Sequence, residues 1–238
     1  TNKGNTIMVV TDGTRVLGLG DIGPEAGLPV MEGKCLLFKY LGGVDAVPIC
    51  LDTKDPDEII RTVKVLHPSF GGVNLEDISS PKCFRFLETL RRELPIPVWH
   101  DDQQGTAAVT VAGLINALKI VRKPLAEATI ALVGAGAANI AVARLLESAG
   151  AHTGRLRMCD SKGLLHPGRT ELRETHPEKW SLAQRTNAEK RAGGIQHALS
   201  GADVLIALSK PGPNTIPKDW IKSMARDAIV FACANPVP

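Results

Sequence analysis

Aromatic side chains are scarce: they make up 4% of the 238 residues and include a single tyrosine. A core with so few has to be built from Val, Leu, Ile and Ala, which suits parallel strands buried by helices on both faces. Cysteine patterns that bind zinc are absent. The five cysteines, Cys35, Cys50, Cys83, Cys159 and Cys233, lie far apart, with no C-x-x-C pair and no histidine at ligand spacing. They read as small buried hydrophobes in a reducing compartment rather than as a metal module or disulfide framework. No apolar run approaches the roughly 20 residues that span a bilayer, and there is no signal peptide. No membrane partner is therefore expected, and the cytoplasm is the expected location. The formal net charge is only +3, with Lys and Arg spread along the chain, so a nucleic-acid partner has no electrostatic footprint. A start methionine is also lacking. The chain opens almost directly into an apolar strand and stops just after another, so it reads as a central piece of a longer protein.

What is present is alternation. Strand-length apolar runs fall at Thr6–Val10, Val47–Leu51, Val73–Leu75, Val98–His100, Ile130–Val133, Arg157–Cys159, Val204–Ala207 and Ile229–Ala232. Helical patterns lie between them, near Pro29–Leu41, Asp57–Leu66, Pro81–Glu93, Thr106–Val121, Asn139–Ser148 and Lys218–Ala225. Such alternation predicts an α/β fold of three-layer, doubly wound parallel sheets. Two domains are expected, residues 1–104 and residues 105–238. The first carries acidic residues at its strand ends, and the second is of Rossmann type and opens with a glycine-rich turn. The polar segment Asp160–Lys190 reads as a surface excursion of the second domain.

The run A-T-I-A-L-V-G-A-G-A-A-N-I-A has strand, glycine turn and helix start in the order a dinucleotide requires. Gly134 permits the tight turn, and Gly136 lets the backbone approach a pyrophosphate seated on the helix N-terminus at Ala137 and Ala138. The third fingerprint position is Asn139 rather than Gly or Ala, which predicts slightly looser helix–strand packing. Asp160 ends the next strand, about 20 residues on, where a carboxylate holds an adenosine ribose hydroxyl. It tilts the choice towards NAD, while Lys162 and Arg169 close by suit the extra phosphate of NADP. A tight turn without a ligand is the plainer reading of the two glycines.

Two strand ends carry paired carboxylates, Glu76 and Asp77 in V-N-L-E-D, and Asp101 and Asp102 in V-W-H-D-D. Ligands of parallel sheets bind beyond the carboxyl ends of the strands. If these two strands are neighbours, the anions converge and need a cation, and an all-oxygen set suits Mg²⁺ or Mn²⁺. Alternatively each pair caps the helix that follows it. Upstream, a glycine-rich stretch leads to a helix expected from Pro29, with Lys34 in its first turns. A lysine held partly dry beside carboxylates is a candidate general base, and Arg15 offers a fork for a substrate carboxylate. Taken alone, each also reads as a solvated surface residue.

Together the blocks V-V-T-D-G-T-R-V-L-G-L-G-D-I-G-P-E-A-G-L-P-V-M-E-G-K, F-G-G-V-N-L-E-D-I, H-D-D-Q-Q-G-T-A, V-G-A-G-A-A and F-A-C-A-N-P-V-P resemble the malic enzymes in their shorter prokaryotic form. The resemblance implies NAD(P)-linked oxidative decarboxylation of malate to pyruvate and CO₂ with Mg²⁺ or Mn²⁺. It implies that Lys34 takes the hydroxyl proton, paired with Asp101, and that Glu76, Asp77 and Asp102 hold the metal. It also implies that Arg15 binds substrate carboxylate, that Gly134, Gly136 and Asp160 serve the dinucleotide, and that Asn235 lies near nicotinamide and substrate. A homodimer or larger homo-oligomer is implied as well. The family's general acid, a tyrosine, is expected upstream of Thr1; Tyr40 stands in the wrong place and reads as a packing residue. Two other readings are an NAD(P)-linked two-domain enzyme such as an amino-acid dehydrogenase, which would need no paired carboxylates, and a non-catalytic nucleotide-binding module.

Overall fold

The computed structural model describes residues 1–235. The chain forms two compact units, Thr1–Asp102 and Gln103–Pro238.

In the first unit the elements run β1 (Thr6–Thr11), α1 (Gly23–Gly42), β2 (Asp45–Cys50), α2 (Pro56–Leu66), β3 (Gly72–Leu75), α3 (Lys82–Glu93) and β4 (Val98–His100). All four strands are parallel, in the order β2-β1-β3-β4. Right-handed crossovers then put α1 on one face and α2 and α3 on the other, giving three layers. The strand order reverses between β1 and β3, which opens the crevice that parallel sheets use for ligands.

Local sequence accounts for the helices. α2 starts where the Asp55 carboxylate accepts the N–H groups of Asp57 and Glu58, with Pro56 in the first turn. It buries Ile59, Ile60 and Val63, and α3 buries Cys83, Phe84, Phe86, Leu87 and Leu90. With Met8, Val9, Val10, Val73 and Leu75 they make the core, where each fully buried large aliphatic contributes about 1.5–3 kcal/mol. Helix α1 departs from expectation by starting at Gly23. Pro24 fills the first-turn place expected of Pro29, and Pro29 is carried inside the helix. Lys34 consequently sits in mid-helix rather than in the first turns.

The second unit holds α4 (Thr106–Val121), β5 (Ile130–Val133), α5 (Ala137–Ser148), β6 (Leu156–Asp160), β7 (Gly163–Leu164), α6 (Leu172–Thr175), α7 (Pro177–Arg185), α8 (Ile195–Leu199), β8 (Val204–Ala207), α9 (Lys218–Lys222) and β9 (Ile229–Ala232). Its sheet order is β7-β6-β5-β8-β9. The four longer strands are parallel; the two-residue β7, which sequence did not anticipate, pairs antiparallel with β6. The order reverses between β5 and β8, so the glycine turn after β5 opens at the switch point. Segment Asp160–Lys190 is more than a surface excursion: Leu164, Leu165, Leu172, Leu182 and Ala183 are buried within it. The helical stretch Asp101–Val121 is long and apolar enough, by length and composition alone, to cross a membrane. In sequence, its Asp, Gln and Thr residues interrupt the apolar run.

Candidate functional site

Strand register assembles the acidic cluster. β3 and β4 pair with Leu75 opposite His100, so the next two residues of each strand, Glu76–Asp77 and Asp101–Asp102, leave the sheet side by side. After β4 the chain makes a π-helical turn over Asp101–Gly105, a distortion that often marks functional sites. Asp77 stands at φ 53, an uncommon conformation for a residue with a side chain. It is pinned there by its own N–H, which donates to Oδ2 of Asp102 at 2.8 Å, and by its carbonyl, which accepts the N–H of Arg15 at 2.9 Å. The guanidinium-bearing residue Arg15 is exposed, but its backbone is thus tied to the cluster.

Glu76, Asp77 and Asp102 each offer an oxygen, and the three oxygens lie within 4.8 Å of one another. Burial raises all three carboxyl groups, with mutual repulsion adding to it. Glu76 and Asp102 rise to about 7, and Asp77 rises to about 6. A backbone N–H from Leu17 partly offsets the rise at Asp77. No side chain caps α3 or α4, whose cap positions are Pro81 and Gly105; Asp101 and Asp102 instead open the π-helical turn that runs into α4. The donors are all hard oxygens, from two buried residues and the half-buried Asp102, which fits a divalent cation such as Mg²⁺ or Mn²⁺. His100, directly before the acidic pair, is fully buried, and burial pushes it down to about 4, so it adds no charge.

Lys34 reaches this cluster from α1. Gly27, Met31 and Lys34 share one helix face at spacings of four and three, and the first two are buried. The Lys34 ammonium lies 2.9 Å from Oδ2 of Asp101 and 3.1 Å from Oε1 of Glu76. Burial acts to lower its pKa, but Glu76 and Asp101 together outweigh that and hold it above its ordinary value. The structure therefore brings Lys34, Glu76, Asp77, Asp101 and Asp102 into one constellation.

Sequence reasoning missed two supports of this constellation. Asn74 donates to Glu76, and Lys82 on α3 pairs with the fully buried Asp12. Asp12 also accepts from the N–H and hydroxyl of Thr14, whose hydroxyl in turn accepts the N–H of Ser79. The i, i+2 spacing of Asn74 and Glu76 along a strand was the available signal for the first; the second pair is 70 residues apart and left none. Tyr40 is 81% exposed, so it is not a packing residue of this chain.

In the second unit the two glycines differ in what they do. Gly134 has φ +97, and a Cβ there would meet the carbonyl oxygen of Leu208 at 2.5 Å. Gly136 caps α5 in an extended conformation and faces open space. Gly136→Val should therefore fold with an unchanged melting temperature and lose dinucleotide binding in titration calorimetry, because its side chain fills the pyrophosphate position. Gly134→Ala should instead lower stability by about 1–3 kcal/mol through backbone strain. Retained dinucleotide affinity in a folded Gly136→Val protein would remove the turn from the binding site.

Asn139 corrects the expectation of looser packing. It is 1% exposed, and its amide donates to the carbonyls of Val133 at 3.0 Å and Gly134 at 2.8 Å, clasping α5 to β5. Asp160 ends β6 as expected, but its oxygens are already engaged. Arg169 binds them at 3.1 and 3.2 Å, Lys179 approaches to 3.3 Å, and the N–H of Lys162 donates at 2.9 Å. Although burial opposes it, these partners hold the Asp160 carboxyl below its usual range. Ala137 and Ala138 open α5, and Asn235 lies exposed beyond β9.

Comparison with known proteins covers the whole chain. Residues 1–55 and 53–91 match the N-terminal domain of malic enzyme, and residues 103–238 match its NAD-binding domain. A bifunctional malic/malolactic enzyme of Bacillus subtilis is 52% identical over 238 residues, and an NAD-dependent malic enzyme of Geobacillus stearothermophilus is 53% identical over 238 residues. The chain is covered in full but spans 57% and 48% of those proteins. The crystal structure of malic enzyme from Pyrococcus horikoshii superposes with TM-score 0.96 at 54% identity, again over all of this chain and 56% of that one. This chain thus spans about half the length of the relatives it matches.

Proposed function

The chain belongs to the malic enzyme family, and from that we propose that the full-length protein oxidises and decarboxylates malate with NAD(P) and a divalent cation. The observation that carries this reading is Lys34 held between Glu76 and Asp101, against three carboxylates whose oxygens lie within 4.8 Å. An amino-acid dehydrogenase would give that cluster no role.

A cation held by Glu76, Asp77 and Asp102 would supply Lewis acidity to the substrate oxygens, and a nicotinamide dinucleotide held at the turn before α5 would supply the hydride acceptor. Lys34 moves the proton. Glu76 and Asp101 together outweigh burial, the largest single influence, and hold its pKa up; a cation held by Glu76, Asp77 and Asp102 would take up one of those opposing charges and leave burial to bring the amine towards the range of a base. Its Nζ then accepts the proton of the C2 hydroxyl, and Asp101, 2.9 Å away, holds the ammonium so formed. Arg15 binds a malate carboxylate, anchored through its backbone to Asp77. Asn235 serves the nicotinamide and substrate, and the general acid is a tyrosine of the longer protein.

Relatives include enzymes named for NAD and for NADP. A carboxylate as fully engaged as Asp160 is a poor acceptor for ribose hydroxyls. Around it, Lys162, Arg169 and Lys179 outnumber Asp160 and Glu171, which favours the phosphate of NADP. Helix α1 exposes Leu36 (66%), Leu37 (51%), Tyr40 (81%) and Leu41 (75%), an apolar stripe of the kind that supports the proposed homo-oligomer. All five cysteines are free, in keeping with the cytoplasm.

The test is malate-dependent reduction of NAD and NADP by the full-length protein, with Mn²⁺ and after chelation. Turnover should require the metal and be faster with NADP. Metal-independent turnover, or none with malate, would overturn the proposal.

A further inference from the structure

Glu76 is shared between two neighbours. Its Oε1 lies 3.1 Å from the Lys34 ammonium, while Oε2 accepts a 2.7 Å hydrogen bond from Nδ2 of Asn74. Asn74 stands on β3, level with Val9 of β1 and Trp99 of β4, and is 2% exposed. Two residues on, Glu76 projects to the same side of the sheet. The other amide atom, Oδ1 of Asn74, is buried without a hydrogen-bond partner. Burying a polar atom in this way is costly, and a leucine or valine would fill a central strand position without that cost. The retained amide therefore points to what its Nδ2 does.

We propose that Asn74 is a positioning residue of the cation site: it pins one oxygen of Glu76 so that the carboxylate stays turned towards the cation instead of closing onto Lys34 with both oxygens. The proposal rests on the metal-dependent reading above. Lys34 is a mobile cation on a flexible stem, and its attraction for Glu76 competes with that of the metal. A fixed donor on the opposite oxygen limits rotation about the last torsion of Glu76 and leaves Oε1 as the oxygen to be shared. Outer partners of this kind typically change metal affinity by about 10–100-fold.

The test uses the full-length protein, with free Mn²⁺ measured by electron paramagnetic resonance and melting temperatures taken with and without metal. Asn74→Leu removes the donor together with the orphaned acceptor. It should melt no lower than wild type without metal and bind Mn²⁺ about 10–100-fold more weakly. Asn74→Thr, whose hydroxyl can donate to the same carboxylate, should recover part of the loss. Wild-type Mn²⁺ affinity in folded Asn74→Leu would overturn the proposal. So would a lower metal-free melting temperature with the Mn²⁺-induced shift intact, which would assign Asn74 to the fold alone. If wild type itself shows no Mn²⁺ binding, the metal reading fails and takes this inference with it.

Discussion

In the full-length enzyme, Lys34→Ala should lower kcat for malate oxidation by on the order of 10²–10⁴, the range for a positioned general base. Affinity for the dinucleotide should hardly change, because Lys34 belongs to the unit ending at Asp102 and the glycine turn to the one after it. Decarboxylation of added oxaloacetate should suffer less, since no hydroxyl proton has to be removed. The variant also strips Glu76 and Asp101 of their shared cation, so its metal-free form should melt lower than wild type, and Mn²⁺ should restore more of the loss than usual. Steady-state kinetics with malate and then oxaloacetate checks the assignment. A raised KM with kcat nearly intact would make Lys34 a substrate clamp instead of a base.

The other large effect concerns the acidic cluster. In wild type, Mn²⁺ at about 100 times its Kd should add about 2.7 kcal/mol, or roughly 5–10 °C of melting temperature for a chain of this size. Asp102→Asn should abolish that gain. The substitution keeps an oxygen to accept the N–H of Asp77 and removes one charge. The sign of the pH dependence follows from the raised folded-state values of about 6 to 7. Folding favours the protonated carboxyls, so their contribution is fully present below the ordinary carboxylate range and is lost as pH rises towards 7. Metal-free wild type should therefore weaken between pH 4 and 7 on account of these groups, and Asp102→Asn should weaken less and melt higher than wild type at pH 8. Thermal melts across that range, with and without Mn²⁺, test both halves. An undiminished Mn²⁺ shift in Asp102→Asn would remove this residue from the ligand set.

Much of this architecture was legible because parallel strands announce themselves as short apolar runs. The strands Ile130–Val133, Val204–Ala207 and Ile229–Ala232 coincide with those runs. The acidic cluster was legible for a related reason: carboxylates that follow adjacent parallel strands leave at the same end. What stayed hidden depends on partners far apart in sequence or without a periodic pattern. The start of α1 was masked by two prolines that both suit a first turn, of which only Pro24 holds it. Asn139 departs from the glycine–alanine rule of the fingerprint, which predicts looser packing, whereas its amide replaces close packing with two hydrogen bonds. The engagement of Asp160 by Arg169 and Lys179 comes from a segment with weak periodicity, so those side-chain pairings had no signal to reveal them.

The pairing of Leu75 with His100 also bears on how the chain can vary in length. β4 is only three residues long, and nothing between its last rung and Asp101 can absorb a change of frame. One residue inserted or deleted between Val98 and Asp101 would turn the strand end over, sending Asp102 to the opposite face of the sheet. The same shift would turn the fully buried His100 out of its layer. Homologous chains should therefore tolerate gaps in the surface loops while keeping this stretch at constant length, because a shift there would misplace the carboxylates and the buried side chains of β4 together.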